Sequence, residues 1–278
     1  MQSPASALNV HFDNPIHCSS TLTLLSFDVV ATSMADLTGN TAIVTGASSG
    51  IGAQTIRALA AAGANVVPAA RRLERLKALA EEMTTEYGVE ATPVQTDVTD
   101  ETDVQALIEE TIATHGSIDV LVNNAGINTG SDVAELGTEA YRDMMDVNVD
   151  GCFFTTREAL PHLVASNGNL IFTGSFAGIY PRSFSPVYAA TKWWVRGFAQ
   201  SVSAQYGDEG VGVTIVNPSE VRTEFVASDG RQFDEVFEPG EVTDPAEIAE
   251  AIVYAAGTTG TVPLEIDLYR RDKLADSF

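Results

Sequence analysis

Thr41-Ala42-Ile43-Val44-Thr45-Gly46-Ala47-Ser48-Ser49-Gly50-Ile51-Gly52 is the stretch that decides the fold. Ala42, Ile43 and Val44 form a short apolar run of the kind found in parallel strands covered on both faces. Three glycines follow. Gly46 permits a tight exit from the strand, Gly50 lets backbone come close to a phosphate, and Gly52 lets the next helix sit down closely. That helix is predicted from Gly50 to about Ala62. It opens with unpaired N–H groups and the positive end of its dipole, a combination that suits an anion. Ser48 and Ser49 add hydroxyl donors at the same place.

Working outward, Ala64 to Ala70 reads as a second strand, which completes a β-α-β unit. Helical periodicity returns from Leu73 to Tyr87, and Ala91 to Gln95 is a short strand. A helix is predicted from about Glu101 to His115, then a strand at Val120-Leu121-Val122 leading into Asn123-Asn124-Ala125-Gly126. Two helices fill 131–166. Asn169 to Thr173 is a strand, Val187 to Tyr206 a long helix, Val211 to Val216 a strand, Pro245 to Ala256 a helix, and Leu264 to Tyr269 a last strand. Unbroken alternation of this kind implies one α/β domain, a doubly wound parallel sheet of the Rossmann type with helices on both faces, over residues 37–278. Pro68 resists the pattern, because a proline inside a strand removes a ladder hydrogen bond. Pairing is therefore expected to break locally there.

Residues 1–36 differ from the rest. Their apolar pieces are short, and no Lys or Arg precedes Arg57, so a secretory signal with a basic start is rejected. Met34 looks like a natural start, and the first 33 residues are expected either to be disordered or to come from an over-extended gene model. The chain of 278 residues has 38 acidic against 15 basic side chains, a formal charge of −23. Nucleic acid is excluded as a partner, since phosphate contacts need a basic surface. No apolar run is long enough to span a bilayer. Two cysteines and four histidines without ligand spacing suggest neither a disulfide framework nor a metal site, and the expected compartment is the cytoplasm. Such charge repels itself in dilute buffer and is screened by salt, which suggests a host with a salt-rich interior.

The glycine turn, including Ile51, is expected to hold the diphosphate of a dinucleotide. An acidic residue ending the second strand would select NAD by binding the ribose 2′-hydroxyl. Ala70 stands there instead, followed by Arg71 and Arg72. In a chain so poor in cations this favours NADP, with Arg71 forked onto the 2′-phosphate and Arg72 a solvated residue beside the next helix. Asp97, after the third strand, is either an adenine contact or a turn former.

Tyr188 and Lys192 lie four apart on the long helix and so share a face. A free phenol has a pKa of about 10, and a nearby ammonium is expected to lower it toward useful acid–base chemistry. Upstream, Thr173-Gly174-Ser175 ends a strand and puts a serine at the rim of the sheet, where ligands of such folds bind. Ser175 is able to donate a hydrogen bond to a substrate oxygen.

In order and spacing, these motifs resemble those of the short-chain dehydrogenase/reductase family across residues 37–269. The resemblance rests on the glycine turn, Asp97-Val98, Asn123-Asn124-Ala125-Gly126, Asn148 within Asp146-Val147-Asn148-Val149, Ser175, Tyr188 with Lys192, and Asn217-Pro218-Ser219-Glu220-Val221-Arg222-Thr223. It implies that Tyr188 is the proton donor, that Ser175 polarises a carbonyl, and that Lys192 binds the nicotinamide ribose and tunes the phenol. Asn148 would hold a water linking Lys192 to solvent, Asn124 would line the cofactor floor, and Pro218, Val221 and Thr223 would flank the nicotinamide. Gly174, Ser219 and the pair Trp193-Trp194 depart from the usual pattern; the tryptophans are expected to pack against neighbouring helices. Family members usually pair through this helix, so a homodimer or homotetramer is expected. Residues 224–242 are expected to cover the substrate, with Phe225, Phe233 and Phe237 forming an apolar wall or anchoring the loop.

The expected activity is NADP-dependent interconversion of a secondary alcohol and a ketone, the small-molecule partner resembling those of the 3-hydroxy acid and carbonyl reductase branch. A 3-oxoacyl-carrier-protein reductase is the first alternative, although its acidic carrier would be repelled by this surface unless salt screens it. A non-catalytic NADP-sensing protein on the same fold is the other.

Overall fold

The computed structural model describes residues 35–130, 132–225 and 231–274. The expectation for the first 33 residues lies outside them. Seven parallel strands form one sheet: β1 Thr41–Thr45, β2 Asn65–Ala70, β3 Val94–Gln95, β4 Val120–Asn123, β5 Asn169–Thr173, β6 Gly212–Pro218 and β7 Glu265–Leu268. Their spatial order is β3-β2-β1-β4-β5-β6-β7. The chain thus builds outward from β1 to β3, then returns to add β4 on the other flank of β1. That reversal opens a crevice at the carboxyl ends of β1 and β4, the place where such sheets bind ligands.

The crossovers are α1 Gly50–Ala61, α2 Leu73–Tyr87, α3 Glu101–His115, α4 Thr138–Met145, α5 Gly151–Ser166, α6 Pro186–Tyr206, α7 Phe233–Val236 and α8 Pro245–Ala256. The period-2 alternation of the strands divides the core in two. Ala42, Val44, Val120, Val122, Ile171 and Val216 pack with Ile56 and Leu59 of α1, Leu76 of α2, and Ile248 and Ile252 of α8. On the opposite face Ile43, Val67, Leu121, Phe172 and Ile215 meet Leu107 of α3, Leu160 and Leu163 of α5, and Val195 and Ala199 of α6. Both faces being covered explains why the central strands β1, β4 and β5 are mostly apolar, whereas the edge strands β3 and β7 carry Gln95, Glu265 and Asp267. Asp100 caps α3 by accepting from Thr102 N (2.8 Å), and Asp244 caps α8 by accepting from Ala246 N (2.9 Å).

The third strand is shorter than expected. Val94 and Gln95 pair with Ala69 and Ala70, whereas Ala91 makes only an isolated bridge to Val66. Pro68 accounts for the gap. Val66 N donates to Glu90 O, Thr92 N to Val66 O and Thr96 N to Ala70 O, so even-numbered residues of β2 face β3. The missing N–H of Pro68 points to that same side, and the ladder loses a bond there. On the β1 side, where Pro68 pairs with Val44 in register, the ladder is continuous. Between α4 and α5 the helix takes a single π turn at Asp146–Asp150, and this turn carries Asn148.

Candidate active site

The crevice is a cleft of about 540 Å³ at the carboxyl edge of the sheet. One end is the glycine turn. Gly46 has φ +67°, and a Cβ there would lie 2.9 Å from Ala125 Cα; one on Gly52 would lie 2.5 Å from Gly46 O. The turn therefore folds flat against the end of β4. Asn124 ties it down, its Nδ2 donating to Thr45 O (2.9 Å) while its backbone N donates to Thr45 Oγ1 (3.1 Å). No side chain caps α1 at Ser49, so the N–H groups at that helix start face the cleft unfilled. Donors without a side-chain cap and a backbone surface that a Cβ would obstruct fit a dinucleotide diphosphate.

Arg72 is exposed, as expected of a solvated residue, with 45% of its side chain accessible, but it also reaches back to the glycine turn. Its Nε donates to Ser48 Oγ (2.9 Å) and its Nη2 to Ser49 Oγ (2.7 Å), which places the guanidinium over the glycine turn. Each serine hydroxyl accepts and keeps its own proton to donate. Nη1 of Arg72 and Nη1 of Arg75 both reach Glu224, at 3.0 and 2.9 Å. Hydrogen bonding to Arg72 holds the Glu224 carboxyl below its ordinary pKa. Arg71 also lines the cleft, with Asp97 and Val98. Asp97 is a turn former as well: its Oδ1 accepts from Thr99 N (3.1 Å) and Thr99 Oγ1 (2.8 Å).

At the other end Ser175, Tyr188 and Lys192 line the same wall, with Pro218, Val221 and Thr223 opposite. Ser175 follows β5 and is positioned by Asn217, whose Oδ1 accepts from Ser175 N (3.2 Å). A Cβ on Gly174 would collide with that same Asn217 Oδ1, which explains the glycine. Ser219 fits without strain, since Asn167 is the only non-glycine residue at positive φ among the described residues. Tyr188 and Lys192 come from successive turns of α6, with Lys192 Nζ 5.9 Å from the Tyr188 ring centroid.

Lys192 is 6% exposed and donates to Thr173 O (2.7 Å). Burial pushes its pKa down to about 8. The expected lowering of the phenol is reversed in the protein alone: burial pushes Tyr188 up to about 12, against the opposing pull of the Ser175 hydroxyl and the Arg182 charge. Desolvation outweighs both, because the partly buried surroundings of the phenol solvate a phenolate less well than bulk water does. Asn148 is fully engaged by protein. Its Oδ1 accepts from Ile127 N (2.8 Å), and its Nδ2 donates to Ile127 O (2.9 Å) and Thr191 Oγ1 (3.0 Å). It thereby pins Gly126-Ile127, the backbone beside Lys192, to α6.

Phe225 and Phe233 line the cleft, and Phe225 sits 5.7 Å from the Tyr188 ring. Phe237 packs behind them on Phe233 at 5.7 Å. Trp194 stacks on Phe198 of its own helix and packs against the second core, whereas Trp193, expected to pack against neighbouring helices, is 47% exposed. Sequence reasoning missed Arg182, which lines the cleft, and quoted Glu220, also on the cleft, and Asn217 behind Ser175 only as members of the motif after β6. Their side-chain directions depend on turns between elements, where no periodic pattern signals orientation.

Fold and cleft together define a dinucleotide-binding α/β protein with a serine, a tyrosine and a lysine gathered at one end of the binding crevice. The short chain dehydrogenase family model matches residues 40–233. An uncharacterized oxidoreductase of Staphylococcus aureus (strain MW2) is 34% identical over 225 residues, 80% of this chain and 93% of that protein. An alcohol dehydrogenase from the archaeon Thermococcus sibiricus, solved with 5-hydroxy-NADP, superposes with a TM-score of 0.77 at 28% identity, covering 83% of this chain and 96% of that one. A 3-ketoacyl-(acyl-carrier-protein) reductase from Brucella melitensis, solved with NADH, gives 0.75 at 26% identity over 84% and 98% of the two chains. The chain belongs to the short-chain dehydrogenase family of oxidoreductases.

Proposed function

We propose that this protein is an NADP(H)-dependent oxidoreductase that interconverts a secondary alcohol and a ketone, with Tyr188 as the acid–base group. The observation that carries the reading is the convergence of Ser175, Tyr188 and Lys192 on one end of a cleft whose other end is an uncapped helix start under Arg72. Arg72, Ser48 and Ser49 would hold a 2′-phosphate, with Arg71 at the cleft edge and Glu224 as the internal anion that the phosphate displaces. The glycine turn, Asp97, Val98 and Asn124 would hold the rest of the nucleotide, and Pro218, Val221 and Thr223 its nicotinamide end. When bound, the nicotinamide supplies or accepts the hydride.

The side chains handle the proton. Ser175 donates to the substrate oxygen and holds it beside the Tyr188 hydroxyl. In ketone reduction, negative charge grows on that oxygen and Tyr188 delivers its proton there. A phenol with a raised pKa stays protonated at neutral pH, which is the form reduction needs. In alcohol oxidation the phenolate must form, and the charge of Lys192 stabilises it; Lys192 also hydrogen-bonds the ribose. Phe225 and Phe233 exclude water from this end.

The test is oxidation of NADPH and of NADH over a panel of ketones and 3-oxo acids, with wild type and Tyr188→Phe. Turnover with NADPH is expected, and Tyr188→Phe is expected to lose about a thousandfold or more in kcat while NADPH still binds. Unchanged turnover in Tyr188→Phe would overturn the mechanism. Binding of NADPH with no turnover of any carbonyl would favour a sensor.

A further inference from the structure

We propose that Arg182 is the counter-ion for a carboxylate on the substrate, so that this site takes oxo acids and hydroxy acids in preference to their neutral counterparts. The inference rests on the oxidoreductase reading above and names its substrate class. Arg182 lies on the segment between Ser175 and α6 and lines the cleft beside Phe184 and Tyr188. Its guanidinium lies over the Phe176 ring, 4.3 Å from the centroid. Phe176 is held in turn by Tyr180, stacked at 4.5 Å, and by Tyr269, edge-on at 5.0 Å. Stacking occupies the face of the guanidinium and leaves its N–H edge for an acceptor.

Among the described residues no hydrogen bond to the guanidinium is formed, although the side chain is only 18% exposed. The nearest carboxylate, Glu220, lies 3.7 Å away, at ion-pair distance but beyond hydrogen-bond reach. Glu220 gives its hydrogen bond to the ammonium of Lys273 instead. Arg182 is thus left with a shared, longer ion pair and with donors to spare. A permanently charged group with five donors, withdrawn from bulk water and with donors unfilled, is costly unless a ligand completes it. A carboxylate does so with two parallel hydrogen bonds. In a chain of charge −23 such a local cation also gives an anionic substrate a place to land.

The test compares acetoacetate with its methyl ester, at fixed ionic strength, in wild type, Arg182→Gln and Arg182→Lys. Wild type is expected to favour the acid by about tenfold or more in kcat/KM, and Arg182→Gln to lose that preference mainly through KM, with Arg182→Lys recovering part of it. A wild type that treats acid and ester alike, or an Arg182→Gln variant that lowers both equally, would overturn the proposal; the second is what a purely structural strut predicts. Calorimetric titration of acetoacetate into the protein with NADP present reads carboxylate binding without turnover. If no ketone is reduced, the oxidoreductase reading fails; Arg182-dependent heat would still support the counter-ion, and its absence would overturn it.

Discussion

Lys192 works against the stability of the fold that holds it. Its ammonium is penalised by burial, so its folded pKa is about 8 against 10.5 for the free side chain. Below about pH 8 both folded and unfolded chains carry the proton and the full penalty, on the order of 3 kcal/mol, is present. Between about 8 and 10.5 the unfolded chain binds more protons, so stability rises with pH. Lys192→Met removes the penalty and leaves Thr173 O without its donor, which costs about 1–3 kcal/mol. The variant is expected to melt higher than wild type near pH 7, with the difference shrinking and changing sign by about pH 10; melting curves at the two pH values check it. Arg72 and Arg71 offer a second residue-scale prediction. Arg72→Ala is expected to weaken NADPH binding by about tenfold or more with little change for NADH, and Arg71→Ala to have the smaller effect, read by fluorescence titration. Two adjacent arginines after β2 were legible in the sequence, and their assignment to a phosphate is part of the proposal. Which of them reaches back to Ser48 was not legible, because that depends on how the chain turns from β2 into α2.

At the scale of elements, most of the architecture was legible. The apolar runs of β1, β4 and β5 and the periodicity of α2, α3 and α8 place those segments to within a residue of their ends. They are legible because burial on two faces, or on one helical stripe, leaves a pattern that no loop imitates. Two features were not. β3 contracts to Val94–Gln95 because the ladder opposite Pro68 cannot close. The π turn at 146–150 left no trace, since one wide turn inside a helical run barely disturbs its apolar spacing. The cap of α8 is measurable. Asp244→Ala removes the acceptor for Ala246 N at the start of α8, and a loss of about 1 kcal/mol is expected in denaturant unfolding.

Over the whole molecule, charge is the dominant fact. A formal charge of −23 repels itself within the folded state, and salt relieves that repulsion. We expect the melting temperature to rise steadily as potassium chloride is increased from about 0.1 M to 2 M, and a flat profile would refute the salt-adapted reading. The same salt should weaken the Arg72 contribution to NADPH binding, so the two effects separate stability from affinity. No helix of the described residues is long and apolar enough to cross a membrane. Trp193 on α6 stands 47% exposed, and this helix remains the proposed place where copies of the chain pair.

The π turn has one further consequence, for how this chain is compared with others. A π turn spends one residue more than an α-helical path over the same rise. Any relative whose corresponding helix runs straight through must therefore be one residue shorter between Met145 and Gly151, and an ungapped alignment would put its neighbouring residue opposite Asn148. Without the gap every residue on one side of the turn is shifted by one position, and Asn148 is among those misassigned. Register at this one turn, rather than overall identity, decides whether a relative keeps the Asn148 bridge to Ile127 and Thr191.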